Sequence, residues 1–151
     1  NHLGIITAVD PKKKNFLAYK GVTIFKPNLK EVREGLDLEV VNVDKDELDA
    51  VHTVLQEALQ HSITFVTLSE KGVYYNDGKS ALIPTHKRDI KDVSGAGDTV
   101  IATASVTYTL TKDAHLMAEI SNLAGGLVCE YVGVVPIDKD LLLSACEAYI
   151  V

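Results

Sequence analysis

Two glycines flanking a single alanine, with an aspartate directly after them, place the tightest constraint on this chain: Asp92-Val93-Ser94-Gly95-Ala96-Gly97-Asp98-Thr99. The residues that follow, from Thr99 to Leu110, are mostly small or apolar and read as a helix buried on more than one face. The stretch is therefore a glycine turn that opens into a helix, with a carboxylate in the first helical turn. Small residues let backbone N–H groups approach an anion closely. A helix N-terminus adds unpaired donors and a partial positive charge. Asp98 then stands where a phosphoryl group and an acceptor hydroxyl could meet. A plain tight turn, with Asp98 as an ordinary first-turn or cap residue, accounts for the same eight residues. The rest of the chain must decide between them.

A chain of 151 residues predicts one domain, 1–151, with room for a real core. The net charge is −6 and no long basic run occurs, which argues against nucleic acid as a partner. No apolar run reaches the roughly 20 residues that span a bilayer, so no membrane partner is expected. The start, Asn1-His2-Leu3-Gly4-Ile5-Ile6-Thr7, lacks the charged n-region and cleavage site of a signal peptide. Cys129 and Cys146 are unpaired by spacing and read as buried, reduced residues of a cytoplasmic protein. His2, His52, His61, His86 and His115 show no metal-ligand spacing and read as surface or packing residues.

Along the chain, Leu3 to Val9 predicts a buried strand ending at Asp10-Pro11. Lys12-Lys13-Lys14 is a solvated loop, or else Lys12 faces an anionic ligand. Val22 to Phe25 predicts a second strand. Asn28 then caps a helix over about 29–35, with Glu31 in the capping-box position and Gly35 as its end. Asp44 to Gln60 is an amphipathic helix with Leu48, Val51, Val54, Leu55, Ala58 and Leu59 at helical spacing, and Asp44 with Glu47 forms a second capping pattern. Ile63 to Leu68 is a strand and Gly72 a turn. Asn76-Asp77-Gly78-Lys79 joins the two arms of a hairpin. Asp113 to Glu130 and Asp138 to Ile150 are further helices. Gly125-Gly126 lies inside the first of these, where each glycine costs roughly 1 kcal/mol relative to alanine. A flat ligand, another backbone or tight helix packing would explain the pair. The pattern fits an α/β sheet with helices on its faces and an antiparallel edge.

At Asp92 to Asp98 the sequence resembles the second signature of the PfkB, or ribokinase-like, sugar kinases: an acidic residue, Thr or Ser, then Gly-Ala-Gly-Asp. Three more segments follow the family's order. Lys26-Pro27-Asn28-Leu29-Lys30-Glu31 resembles its Pro-Asn-x-x-Glu. Thr67-Leu68-Ser69-Glu70-Lys71-Gly72 resembles its Thr-x-Gly-x-x-Gly, with Ser69 in place of the usual glycine. Asn122 to Val128, with Gly133, resembles the stretch that lines the adenine pocket. Asp10-Pro11-Lys12 and its spacing to Pro27-Asn28 look most like the heptose-phosphate kinases that occur as half of a bifunctional kinase/adenylyltransferase of lipopolysaccharide assembly.

The resemblance covers the C-terminal half of the family's chains. It implies a ribokinase-like three-layer α/β/α sandwich, C-terminal half, with a mostly parallel sheet and an antiparallel edge hairpin. It also implies a longer parent whose N-terminal half carries the lid and most sugar contacts. The activity implied is transfer of the ATP γ-phosphoryl group to a hydroxyl of a sugar or sugar phosphate such as heptose 7-phosphate. Asp98 would be the base, and the backbone N–H groups of Gly95, Ala96 and Gly97 the anion hole. Asn28 and Glu31 would place Mg²⁺ through water. Thr67 and Gly72 would touch the nucleotide phosphates or ribose, Asn122, Gly126 and Val134 would line the adenine pocket, and Lys12 would be a phosphate contact. A half-protein exposes an apolar face, so self-association, as a homo-oligomer, is expected. A nucleotide-binding module without activity is the alternative, separated by ATP binding without sugar phosphorylation. A dinucleotide-binding fold is disfavoured, because no G-x-G-x-x-G follows the first strand.

Overall fold

Local sequence decides where four of the five helices begin. Helix α1 (Leu29–Leu36) starts at Asn28, whose Oδ1 accepts the Glu31 amide at 2.8 Å, while Glu31 Oε2 accepts the Asn28 amide at 2.8 Å. This is the reciprocal capping box that the spacing predicts. Helix α2 (Lys45–Leu59) is capped by Asp44, which accepts the Glu47 amide. The Glu47 carboxylate does not return to Asp44 but takes the amides of Val41, Asn42 and Val43. Those bonds, that from Val41 first, hold its carboxyl below the usual range. Asp113 caps α4 (Ala114–Val128) and Asp138 caps α5 (Lys139–Tyr149). Helix α3 (Ala96–Thr111) differs. It opens at Gly95, with φ of 77°, and no side chain caps it.

The structure, a computed structural model, describes residues 3–150. Five strands form one sheet in chain order: β1 (Ala8–Val9), β2 (Ile24–Phe25), β3 (Ile63–Thr67), β4 (Val73–Asn76) and β5 (Ser80–Ile83). β1, β2 and β3 run parallel, with Ala8 opposite Ile24 and Ile24 opposite Ile63. β4 is antiparallel to β3, with Phe65 opposite Tyr75, and Asp77 to Lys79 connect it to β5. The chain groups into two compact units, the first ending at Leu82 and the second beginning at Ile83. In the first, Phe25 and Val66 of the sheet pack with Val32 of α1 and Leu48 and Leu55 of α2. In the second, Leu123 and Leu127 of α4 pack with Ala145 of α5. The α/β class and the edge hairpin are those expected.

Several boundaries depart from expectation. The first strand is only Ala8–Val9, because Gly4 turns left-handed with φ of 64° and leaves Leu3 and Ile5 exposed. The second strand shortens to Ile24–Phe25, since the Thr7 and Thr23 hydroxyls accept each other's backbone N–H groups just before it. Gly35 does not end α1. The helix runs on to Leu36 and closes at Asp37 in the left-handed region, and Gly35 is small because the Phe16 ring fills the space of its Cβ. Lys13–Ala18 is a 3-10 helix rather than an open loop. Helix α3 begins at Ala96, three residues early, and buries one seam only: Val100, Ala104 and Thr107. Val106 and Leu110 on its other side are exposed, 61% and 78%. The apolar sequence signals the helix but not which of its faces this chain covers.

The histidines take packing roles, with His2 outside the described residues. His86 stacks on Tyr149 and His115 pairs with Glu119. Cys129 is buried and Cys146 partly buried, both as free thiols, and burial pushes both thiols up. His52 Nδ1 and His61 Nε2 both bond the buried hydroxyl of Thr64, at 2.7 and 2.5 Å. Beside them, burial raises the Asp49 carboxyl, but hydrogen bonds from Lys45, Tyr74 and Ser80 outweigh it and bring it down to about 2. Burial first, and His52 second, pull His61 down to about 4. The unfolded chain takes up a proton at His61 below about 6.5, which the folded chain refuses until about 4. Stability from this group is therefore complete above pH 6.5 and falls as pH drops toward 4, by up to about 1.4 kcal/mol per pH unit. Thermal melts from pH 8 to 4 are expected to decline in that window, with a shallower decline for His61→Gln. A decline of equal slope in the variant would contradict the assignment.

Candidate functional site

In open α/β sheets, ligands gather at the carboxyl ends of parallel strands. In the first unit those ends carry Asp10 after β1, Lys26-Pro27-Asn28 after β2 and Thr67 at the end of β3. An isolated parallel bridge sets Asn28 beside Thr67, and the Thr67 amide donates to the Pro27 carbonyl at 3.1 Å. Lys12 lies on the same edge, its Nζ 3.4 Å from Glu31 Oε1 and 4.0 Å from Asp10 Oδ1. Lys26, which resembled part of a motif and nothing more, is 2% exposed, with its Nζ 3.4 Å from Asp10 Oδ2. A buried ammonium needs such a partner, and stranding a buried charge by removing its partner typically costs about 3–5 kcal/mol. This pair was not legible in the sequence, because burial of a lysine has no local signature.

The residues expected to place a metal are thus already hydrogen-bonded. Asn28 Oδ1 and Glu31 Oε2 close the capping box, and Glu31 Oε1 faces Lys12. Among the described residues no group of three His, Cys, Asp or Glu side chains could hold a metal ion. A carboxylate still has spare lone pairs for bound water. The set suits a hydrated Mg²⁺ held at one remove, which is how that ion usually sits.

Past β3, Gly72 with φ of 99° turns the chain back, and its carbonyl accepts the Leu68 amide. Ser69, where the resemblance expects glycine, adopts φ of 53°. The backbone has kept the left-handed geometry that glycine favours, and the serine is strained by it.

In the second unit, Gly95, Ala96, Gly97 and Asp98 form one turn at the start of α3, with Asp98 exposed in the first helical turn. The Ala96 amide donates to the Val93 carbonyl at 3.2 Å. Val134 stands against Gly95, its Cγ1 only 2.9 Å from where a Cβ would be. The turn is tied from outside by Asp92. One of its oxygens accepts the Ser94 amide and hydroxyl, at 2.9 and 2.7 Å, and the other accepts the Gly133 amide at 2.8 Å. Hydrogen bonds from the Ser94 side chain, then from the Ser94 and Gly133 backbone, bring the Asp92 carboxyl down to about 2.

Asn122 and Gly126 lie on α4, but other residues cover them. Asn122 Nδ2 donates to the Pro84 carbonyl at 2.9 Å. The Arg88 side chain lies on Gly126, with Cδ and Nε 3.0 Å from the space of a Cβ. Gly125 answers to the packing explanation, since a Cβ there would meet Val100 of α3 at 2.6 Å. Arg88 is a neighbour that sequence reasoning missed.

The chain belongs to the PfkB family of carbohydrate kinases, whose family model matches residues 5–140. It is 35% identical over 137 residues to the bifunctional protein HldE of Aliarcobacter butzleri and 37% identical over 137 residues to that of Methylobacillus flagellatus. These alignments cover 88% and 90% of this chain and 28% of either relative, so it spans under a third of their length. Among solved structures, it superposes on Escherichia coli phosphofructokinase-2 in complex with substrates and products with a TM-score of 0.82, at 18% identity, covering 93% of this chain and 46% of that one. The Thermotoga maritima ribokinase gives 0.77 at 17%, covering 95% and 50%. The fold is therefore ribokinase-like.

Replacing Ser69 with glycine removes the left-handed strain, worth roughly 1–2 kcal/mol, against an unfolded-state entropy cost of about 0.5–1 kcal/mol. Urea titration of Ser69→Gly is expected to show a gain of about 0.5 kcal/mol. A loss of stability would mean that the side chain serves the loop.

Proposed function

We propose that this chain is the nucleotide-binding and catalytic part, within one domain, of an ATP-dependent kinase acting on a sugar phosphate, with heptose 7-phosphate as the favoured acceptor. The observation that carries the reading is the turn at Gly95–Asp98. Every other α-helix among the described residues starts at an Asn or Asp side-chain cap, whereas α3 opens on glycine and leaves its first turn without one. Its Asp98 is an exposed carboxylate beside those donors. Family membership and the bifunctional relatives support the same reading, and Asp10-Pro11-Lys12 favours the heptose class.

Phosphoryl transfer needs positioning and charge stabilisation more than covalent chemistry. In this reading the acceptor hydroxyl gives its proton to Asp98 as its oxygen bonds the γ-phosphorus, and the bond to the ADP oxygen breaks. The N–H groups of Gly95 and Gly97 face the developing charge. Ala96 contributes less, because its amide is shared with Val93. Mg²⁺ supplies charge neutralisation of the phosphates when bound. Glu31 and Asn28 would hold its water shell, and Lys12, paired with Glu31 on the same strand edge, would contact a phosphate. Thr67 and Gly72 serve the phosphates or ribose. Asn122, Gly126 and Val134 serve the base, with Gly126 reached past Arg88. The site belongs in the cytoplasm, where ATP is abundant, and in a homo-oligomer, as one tetrameric form of phosphofructokinase-2 among the structural neighbours suggests. A nucleotide-binding module that does not transfer phosphate is the second reading.

The test is ATP consumption against a panel of sugars and sugar phosphates, in the polypeptide the natural gene encodes. Asp98→Asn is expected to lower kcat by about 10²–10⁴-fold with ATP affinity nearly unchanged. Near-normal turnover would remove Asp98 as the base, and ATP binding without transfer in the unaltered protein would select the second reading. Glu31→Gln is expected to raise the Mg²⁺ concentration needed for half-maximal rate by several-fold, about what a weakened water-mediated contact implies. An unaltered Mg²⁺ titration would count against that role.

A further inference from the structure

The approach to the Gly95 turn, residues 84–93, has no regular secondary structure, yet five of its residues are fastened to α4, to the two residues that follow it, or to α5. Asn122 Nδ2 holds the Pro84 carbonyl at 2.9 Å. The His86 ring stacks on Tyr149, with centroids 3.9 Å apart. Arg88 Nη1 lies 3.3 Å from Glu130 Oε1. The amides of Lys91 and Asp92 both donate to the Cys129 carbonyl, at 2.8 and 3.2 Å. Asn122, Gly126 and Glu130 are four residues apart and so share one face of α4 or its continuation.

Arg88 is the centre of this track. Its side chain is only 12% exposed, and its stem lies on Gly126. Glycine inside a helix weakens that helix, and any side chain at 126 would press on the Arg88 stem. The small residue and the ion pair serve one placement, that of Arg88 against α4. Four residues later the same segment delivers Asp92, whose carboxylate holds both Ser94 and Gly133.

We propose that Arg88 is a positioning residue for the catalytic turn: seated on Gly126 and paired with Glu130, it registers the Pro84–Asp92 segment on α4 and so sets where Asp98 points. This rests on the reading of the turn as the catalytic centre. A displacement near 1 Å at such a centre costs on the order of 10²-fold in rate.

The test uses the polypeptide the natural gene encodes, unaltered and as Arg88→Ala, Arg88→Lys and Asp98→Asn. Arg88→Ala is expected to lower kcat by about 10–100-fold, with KM for ATP within about twofold of the unaltered protein. Amide exchange at residues 94–97 is expected to speed up. Arg88→Lys should recover much of kcat, because the ammonium keeps the charge that pairs with Glu130. A raised KM for ATP with kcat unchanged would make Arg88 a nucleotide contact and overturn the proposal, as would unchanged kcat and exchange. Gly126→Ala is expected to lower the melting temperature in the unaltered protein and to raise it in the Arg88→Ala background, where the helix gains and nothing is displaced. The same shift in both backgrounds would overturn the seat. If the unaltered protein transfers no phosphate, or Asp98→Asn keeps full turnover, the catalytic reading fails. Exchange and melting then still decide whether Arg88 sets the turn.

Discussion

The Asp92 carboxylate joins two backbones that the chain would otherwise leave apart, the turn at Ser94 and the loop at Gly133. Charge makes these hydrogen bonds stronger than neutral ones. Without them, the first turn of α3 would have neither a cap of its own nor an external tie. With them, Val134 comes to rest on Gly95, its Cγ1 2.9 Å from where a Cβ would be, at a point where φ of 77° suits glycine. The glycine signature therefore reflects two demands at once, a left-handed backbone and the approach of a neighbouring loop.

The two units use charge differently. In the first, Glu31 and Asn28 close a capping box and Glu47 gathers three consecutive amides locally, while Asp10 partners the buried Lys26 from the neighbouring strand end. In the second, Asp92 and the Arg88–Glu130 pair each bridge about 40 residues of sequence.

What was legible in the sequence is what is local. Asn28 with Glu31, Asp44 with its amide partner and the Asn76–Lys79 hairpin turn act within a few residues and stand where the spacing placed them, and the glycine opening of α3 is as expected although the helix starts three residues early. Gly35 misled because glycine marks a helix end and a tight packing position with the same letter, and here the Phe16 ring decides. The apolar run from Leu3 misled because one left-handed glycine outweighs a β-branched composition. Gly125 and Gly126 look alike in sequence but answer to Val100 and Arg88 respectively. No spacing rule links residue 88 to residue 126. The family resemblance supplied the roles of the site residues, while the buried Lys26 and the Arg88 track came only from the three-dimensional arrangement.

Helix α3 begins without a cap of its own, held by a carboxylate before it and a loop some forty residues after it. The Asp92 bonds to Ser94 are local, whereas the bond to Gly133 reaches across about forty residues. The tie to Gly133 can form only once α4 is in place and the loop beyond it has docked. The start of α3 is thus the point in the second unit where a local turn and a distant loop are fixed by one carboxylate.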